Sequence, residues 1–383
     1  MVSIGDPKKC RDGLSRFGNP LSIERPRVLF WMPHGIGDAL MMTPAITGLR
    51  AAYPDVRIEA VFFRSVSRQV VDGHPVLDCI HLVPPRWSSI AIRLLRLRGM
   101  YDLAVIPPGL NLWKHHLMMT LLNVPCIAGV WPRHINNPWF TNGVVYARGW
   151  YAPVLNIEAI KTALPKVFPG PPLFHMTEKD LEDTELLWDS LRLNGKNVLA
   201  IAPGSETSTN YKRWKLDRFI DVTKRFLDDH HDWAGWVVLG PGEEADEEAW
   251  RSLGKSRVVI TKGLSLKVVA AALRHCRIVL SNDSGIAHVA GISGVPSVVI
   301  FGPTDSNLVH PLGEVWTTLE ASNCDLQPCY PHFGERFNPA RCPHGFKCLK
   351  EISTDHVLIA LRRRLTVVGS EKLQIQNGNI ICS

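Results

Sequence analysis

No run of about 18 or more apolar residues occurs in the sequence, which excludes an ordinary transmembrane helix. The opening stretch "MVSIGDPKKCRDGLSRFGNPLSIERP" is charged and lacks an apolar h-region, so no secretory leader is expected and a cytoplasmic place follows. Zinc-finger spacing, an RNP-type aromatic run and an Arg-rich tract are all missing, so nucleic acid is not the expected partner. The dinucleotide fingerprint G-x-G-x-x-G is incomplete. In "PHGIGDAL", residues 33–40, Gly35 and Gly37 make a tight turn, but Leu40 holds the third glycine position. The next strand runs on into "VFFRS" without an acid for a ribose, so a dinucleotide site is not expected there. Acid is scarce in one half of the chain. Residues 1–170 carry 19 Lys and Arg against 10 Asp and Glu, whereas residues 171–383 carry 24 against 26. The basic half suits an anionic partner, a phosphorylated ligand or a lipid surface.

What is present is a soluble globular composition, 45% apolar and 21% charged. At 383 residues the chain is long enough for two cores. Short apolar runs alternate with amphipathic helical patterns. "RVLFWMP" (27–33), "RIEAVFF" (57–63), "CIHLV" (79–83) and "YDLAVIPP" (101–108) read as strands, with helical stretches such as 38–52 between them. That is βαβ patterning and predicts a parallel sheet. The pattern fades at the Pro-rich segment "PKVFPGPPLF" (165–174), which reads as an interdomain linker. It restarts with "NVLAIAPGS" (197–205), "GWVVLGPGEE" (235–244), "RIVLSND" and "SVVIFGPT". The expected fold class is therefore α/β, two Rossmann-like parallel-sheet domains facing across a cleft. The expected boundaries are an extension over 1–25, a first domain over 26–170, a second over 171–353, and a C-terminal helix and tail over 354–383. The extension and the tail from 367 are expected to be flexible.

In such sheets ligands sit beyond the carboxyl ends of the strands, so the strand-end loops are where chemistry is sought. "SNDSGIAHVAG" places Asp283, Ser284, Gly285 and His288 at one such end, with a helix expected over 285–291. A helix N-terminus offers free N–H groups to a phosphate. Ser284 could add a hydroxyl, and Gly285 allows close backbone approach. Asp283 could hold the loop, and His288 could face the same pocket. Equally, Asp283 or Ser284 could merely cap the helix. "PGSETSTNYKRW" (203–214) is hydroxyl-rich, includes Ser205 and ends in Lys212, Arg213 and Trp214. Cations delivered to a strand end suit a diphosphate; the alternative is a solvated loop. "LGPGEE" brings Glu243 or Glu244 within reach of a ribose diol, or merely places acid at a helix start. In the first half Asp38 is either a helix N-cap or a carboxylate able to deprotonate a hydroxyl.

Taken together, "HGIGDALMMTPAI", "PGS…YKRW", "LGPGEE" and "SNDSGIAHVAGISGVPSVVIFGPTD" resemble glycosyltransferase family nine, the ADP-heptose:lipopolysaccharide heptosyltransferases. The likeness covers roughly residues 26–365. It implies the GT-B fold, with ADP-heptose held by the second domain and an acceptor by the first, alongside the acceptor-side loop of Gly35 and Gly37. It further implies direct displacement with inversion at the anomeric carbon, Asp38 being the base. Lys212 would neutralise the diphosphate, with Ser205, Glu243, Glu244, Asp283, Ser284, Gly285 and His288 around the donor. No D-x-D pair occurs in the chain, which fits catalysis without a required cofactor. The acceptor implied is a lipopolysaccharide inner core on lipid A, met at the inner face of the inner membrane. Transfer to a protein hydroxyl, or a catalytically silent nucleotide-binding scaffold, are the rival readings.

Three features stand apart from that set. Cys324, Cys329, Cys342 and Cys348 follow a C-x4-C-x12-C-x5-C spacing, and four thiolates could hold a structural Zn or Fe. Free thiols or one bridging pair are the alternatives. "PRWSSIAIRLLRLRGM" (85–100) reads as a helix with Arg86, Arg93 and Arg96 on one side and Leu and Ile on the other. It suits either core packing, the preferred reading, or an anionic membrane. "WPRHINNPWF" (131–140) is an aromatic, basic loop that suits either stacking on a sugar or a loop anchored by its Trp residues.

Overall fold

The computed structural model describes residues 15–382 apart from 84–86, 109–111, 133–138, 147–148, 206–210, 244–245, 255–256, 330–341, 368 and 377–378. The chain divides into two compact units, the first holding Met1–His175 and the second most of Met176–Ser383.

Strands of the first unit are β1 (Ser15–Phe17), β2 (Arg27–Met32), β3 (Arg57–Phe62), β4 (Cys79–Leu82), β5 (Leu103–Ile106), β6 (Cys126–Pro132) and β7 (Asn142–Tyr146). Its helices are α1 (Ile36–Ala52), α2 (Ser65–Arg68), α3 (Trp87–Arg96), α4 (Leu112–Leu122) and α5 (Ala152–Lys161). The strands form one sheet in the order β1-β7-β6-β5-β2-β3-β4. Among these described strands only β1 runs antiparallel to its neighbour. A strand with helices on both faces is apolar throughout, and Val28, Leu29, Phe30 and Trp31 of β2 are all fully buried. The chain leaves β2 toward β3 and β4, then returns to β5 on the other side. The order reverses between β2 and β5, and an open α/β sheet binds its ligand at the carboxyl ends of such a pair.

From residue 176 the elements are α6 (Glu178–Ser190), β8 (Asn197–Ala202), α7 (Leu216–Asp229), β9 (Trp233–Leu239), α8 (Glu247–Arg251) and β10 (Val258–Lys262). There follow α9 (Leu266–Leu273), β11 (Ile278–Asn282), α10 (Gly285–Ile292), β12 (Ser297–Phe301), α11 (Ser306–Val309) and β13 (Trp316–Ala321). The chain closes with α12 (Lys347–Lys350), α13 (Thr354–Arg364), β14 (Glu371–Gln376) and β15 (Asn379–Cys382). The second sheet runs β10-β9-β8-β11-β12-β13-β14-β15, so its order reverses between β8 and β11. Helix α7 illustrates why these segments are helical. Phe219, Val222, Thr223, Phe226 and Leu227 recur at helical spacing and are all buried. They pack with Trp214, Trp250 and the β8 and β9 side chains. Removing the Phe226 ring would cost about 3–5 kcal/mol.

Two expectations are corrected. The tail is structured: β14 adds parallel to β13, and β15 pairs back on β14. Leu373 and Ile375 are buried, at the alternate positions of a strand with one covered face. At the other terminus, residues 15–17 of the extension pair with β7. Cys10 lies outside the described residues.

Candidate functional site

In the second unit the loops after β8, β9 and β11 are tied to one another. Asn282 ends β11, and its amide does two jobs. Oδ1 accepts from the Trp214 backbone N–H at 2.9 Å, while Nδ2 donates to the Pro203 carbonyl. The Trp214 indole is buried and donates to the Ile352 carbonyl at 2.9 Å. Trp214 thus anchors the end of the loop that carries Lys212 and Arg213. The Lys212 ammonium donates to Asp283 Oδ2 at 2.9 Å, with side-chain exposures of 14% and 5%. Arg213 donates to Glu243 Oε1 at 3.0 Å and to the Ser205 hydroxyl at 3.2 Å. The other Glu243 oxygen accepts from the Gly240 N–H at 2.8 Å. Glu243 is buried and latches the loop after β9 to the loop after β8. Gly204 makes room for it, since a Cβ there would lie 1.6 Å from Glu243 Oε1.

Burial alone would raise the Asp283 carboxyl. The Lys212 charge, the hydrogen bond from Lys212 and the field of His288 outweigh it and hold the group below the usual range. Asp283 is therefore an anion that pins Lys212 beside the start of α10. Ser284 takes the N-cap position of α10 with extended backbone, but its side chain makes no capping bond. The Ser284 hydroxyl is buried without a hydrogen-bond partner among the described residues. The capping alternative therefore fails for Ser284, and a buried orphan hydroxyl calls for an explanation. Gly285 opens the helix, and His288, one turn on, is buried. These groups gather a cation, a helix N-terminus and a waiting hydroxyl at the β8/β11 reversal point. Such a set is suited to a phosphate.

Ser205, Lys212, Glu243, Asp283, Ser284, Gly285 and His288 are thus brought into one neighbourhood. Glu244 and residues 206–210 lie outside the described residues. Sequence reasoning missed Asn282. A polar residue at the end of an otherwise apolar strand was the available signal for Asn282.

In the first unit the corresponding place is a shallow pocket lined by Met32, Pro33, His34, Gly35, Asp38, Ala39 and Pro107. It lies at the carboxyl ends of β2 and β5, the reversal point of that sheet. Helix α1 starts at Ile36 with Gly35 as its cap residue, and Asp38 falls in the first turn. The N-cap expectation for Asp38 is therefore corrected. Gly35 reaches extended backbone there without a side-chain cap, which moves the helix start two residues earlier than the sequence suggested. His34 Nε2 is buried and has no hydrogen-bond partner among the described residues. Nearby, the Trp31 indole donates to His115 Nδ1 at 2.8 Å, which leaves the His115 proton on Nε2. Burial, with the neighbouring His34 and Lys114, pushes His115 down to about 4, so it is neutral at pH 7.

Among the described residues one side-chain cluster brings possible metal ligands together, and a set of cysteines stands apart from it. Glu59, Cys79 and His81 bring ligand atoms within 4.8 Å of one another. Both Glu59 oxygens are already engaged, one by Arg57 and the other by His81 and Tyr101. Burial alone would raise the Glu59 carboxyl, and those hydrogen bonds outweigh it and hold it low. A cation would have to displace a guanidinium, so the cluster reads as a closed structural network. Cys324, Cys329, Cys342 and Cys348 are free thiols, and among the described residues they do not bring three sulfur atoms within 4.8 Å of one another. Burial first, then Cys342 and Cys324, push Cys329 up to about 11. Burial first, then the three other thiols, push Cys348 up to about 12. In the aromatic loop, residues 133–138 lie outside the described residues. Trp139 packs on His116 with ring centroids 3.8 Å apart.

Two parallel-sheet α/β units, each with polar residues at its strand-reversal point, define a GT-B glycosyltransferase fold. The model of glycosyltransferase family 9 (heptosyltransferase) matches residues 150–334. A lipooligosaccharide heptosyltransferase 2 of Campylobacter jejuni is 25% identical over 45% of this chain and 53% of its own length. A lipopolysaccharide heptosyltransferase 2 of Salmonella typhimurium is 22% identical over 75% of this chain and 85% of its own. The chain spans about half the length of the Campylobacter relatives it matches. Among solved structures, a family 9 glycosyltransferase of Veillonella parvula aligns with a TM-score of 0.72 and 19% identity, covering 91% of this chain and 99% of that one. The iron-containing dodecameric glycosyltransferase TibC of enterotoxigenic E. coli aligns with a TM-score of 0.53 and 13% identity, covering 92% of this chain and 77% of that one.

Proposed function

We propose that this protein transfers heptose from ADP-heptose to a lipopolysaccharide inner-core acceptor, with inversion at the anomeric carbon. The observation that carries the reading is the group at the β8/β11 reversal point. Lys212 is fixed by Asp283 beside the start of α10, where the Ser284 hydroxyl is buried and unpartnered among the described residues. An ammonium carries three N–H donors, so one held by Asp283 can still turn another toward a diphosphate. The N–H groups of the α10 start and the Ser284 hydroxyl complete that cradle. Arg213 and Glu243 hold the flanking loops in place.

In the reaction the acceptor hydroxyl attacks the anomeric carbon while the bond from that carbon to the diphosphate oxygen breaks. The electron pair leaves with ADP, and the acceptor proton passes to Asp38. Lys212 and the α10 N-terminus stabilise the charge that grows on the leaving oxygen. On this reading His34 Nε2 finds its missing partner in an acceptor group. The acceptor's lipid anchor places the enzyme on the cytoplasmic face of the inner membrane. Cys324, Cys329, Cys342 and Cys348 would hold a structural Zn or Fe. Four thiols within 25 residues of sequence would supply soft ligands for such an ion if drawn together around it. Metal analysis of protein purified without chelator tests that part, and protein without metal refutes it.

The reading as a whole is tested with the full chain. Titration calorimetry with ADP reports the donor site. Incubation with ADP-heptose and truncated core lipids, with products read by mass, reports transfer. A protein that binds no ADP refutes the donor assignment. A protein that binds ADP and glycosylates only a polypeptide hydroxyl moves the acceptor assignment. One that binds ADP and neither transfers nor hydrolyses the donor is a scaffold.

A further inference from the structure

We infer that the outer face of α3 and α4 is a docking surface for an anionic lipid bilayer. Helix α3 is two-sided. Ile90, Leu94 and Leu97 turn inward and share a core cluster with Met118, Met119 and Leu122 of α4. The opposite side of α3 leaves Ile92 54% and Leu95 53% exposed, and α4 leaves Leu117 46% exposed. Core packing, the reading preferred from sequence, is satisfied by one stripe of α3 and leaves the other stripe uncovered by the described residues.

The charge carried by these two helices has one sign. Arg93 and Arg96 are exposed on α3, and Arg98 follows at its end. Arg98 donates to the Leu121 carbonyl at 3.0 Å, which ties the end of α3 to the end of α4. Neither helix contains an Asp or Glu. Between them the sequence has only Asp102, whose carboxylate accepts from the Arg27 backbone N–H at 2.7 Å. Aliphatic side chains set among arginines with no acid on either helix match the boundary of an anionic bilayer. Leucine and isoleucine enter the acyl edge there, while guanidinium groups reach the phosphates. An acidic protein surface would satisfy the arginines and leave the aliphatics less well matched. Helix α4 also carries His115, which is bonded to Trp31 at the end of β2. The surface and the Asp38 pocket are therefore built on adjoining elements of one unit.

Vesicle flotation of the full chain tests this without any sugar substrate, so its outcome is separate from that of the transfer reaction. The protein is expected to float with vesicles enriched in phosphatidylglycerol, to stay down with pure phosphatidylcholine, and to detach as salt is raised. Arg93→Glu with Arg96→Glu should lower the bound fraction at least about tenfold. Ile92→Ser with Leu95→Ser should also lower it, while thermal melts stay near wild type because both side chains are exposed. A wild-type protein that ignores anionic vesicles overturns the proposal and leaves the face to an acidic protein partner. Flotation unchanged by both double variants places the lipid contact elsewhere and overturns it equally.

Discussion

The two strand-reversal points differ in how far they are finished. At the β8/β11 point the charged side chains are paired with one another, and among the described residues the Ser284 hydroxyl beside them is left without a partner. Lys212 bonds Asp283, Arg213 bonds Glu243 and Ser205, and Asn282 bonds two loops at once. At the β2/β5 point the turn is open. Among the described residues His34 Nε2 has no partner, and nothing lies within 4 Å of where a Cβ on Gly35 would sit. The difference fits two kinds of ligand. A diphosphate has fixed charge and geometry and rewards a preorganised cradle. An acceptor hydroxyl needs a base and room to approach, and the substrate itself completes the site. Both points follow from one sheet topology, so the contrast lies in the loops.

The sharpest way to break that comparison is Asp38→Asn. Asp38 sits in the first turn of α1, where an acid is favoured by the helix dipole by only about 0.3–1 kcal/mol. The variant should melt close to wild type. If Asp38 is the base, turnover should fall by roughly 10²–10⁴ while ADP affinity holds. A melt, an ADP titration and an initial rate on one preparation give all three numbers. An active variant would leave His34 as the next candidate and reduce Asp38 to a dipole contact.

On the other side, Lys212→Ala should cost stability as well as donor binding. It strips a nearly buried carboxylate of its main cation, and breaking a buried pair this way costs about 3–5 kcal/mol. The lower end is expected here, because the field of His288 still supports Asp283. Adding Asp283→Asn should restore the melt without restoring ADP affinity. A double variant that recovers both would mean that Lys212 serves the fold alone.

Much of this was legible in the sequence, and the failures have physical reasons. Parallel strands covered on both faces are continuous apolar runs, so "RVLFWM" and "SVVIF" announced themselves. The loops 203–214, 239–244 and 282–288 stood out because polar residues follow such runs directly. Which side chain meets which was not legible. Lys212 and Asp283 are 71 residues apart, and their pairing depends on Trp214 being anchored by Asn282 and Ile352. Strand β14 was missed because "EKLQIQ" is half polar, as a strand with one exposed face must be. The start of α1 was misplaced because a glycine cap leaves no side-chain signal. The sequence put the arginines of α3 on one side and its Leu and Ile on the other, whereas Ile92 and Leu95 are exposed among Arg93 and Arg96, because a period of apolar residues does not tell which stripe finds a neighbour.

Acid should affect both units through one half-buried histidine each. His115 in the first and His310 in the second are held at about 4, chiefly by burial. Above about pH 6.5 the imidazole is neutral in both folded and unfolded chains, and stability is unaffected. Below that the unfolded chain gains a proton that the folded one refuses until about 4. Stability is therefore lost as pH falls through this window, on the order of 3 kcal/mol for each group. Urea unfolding at pH 7 and about pH 4 measures the loss. His115→Asn keeps an acceptor for Trp31, and His310→Asn keeps a donor for the Pro311 carbonyl. Each should flatten its own share, and equal slopes in wild type and both variants would show that neither imidazole is held neutral.

The smallest effect compares two glycines, each at the strand-end turn of its unit. A Cβ on Gly204 would collide with the buried Glu243 carboxylate at 1.6 Å, whereas one on Gly35 would meet nothing within 4 Å among the described residues. Gly204→Ala must push Glu243 away from Arg213 and from the Gly240 N–H, and overpacking of that kind costs about 1–3 kcal/mol. Gly35→Ala has an extended backbone that any residue adopts, so its melt should stay within about 0.5 kcal/mol of wild type. Ligand titrations separate the two further. Gly204→Ala should weaken ADP by loosening the latch between the loops after β8 and β9. Gly35→Ala should leave ADP unchanged and act only on the acceptor side. If both alanines are tolerated alike, Glu243 is a yielding side chain, and the rigid cradle on which the comparison rests is lost.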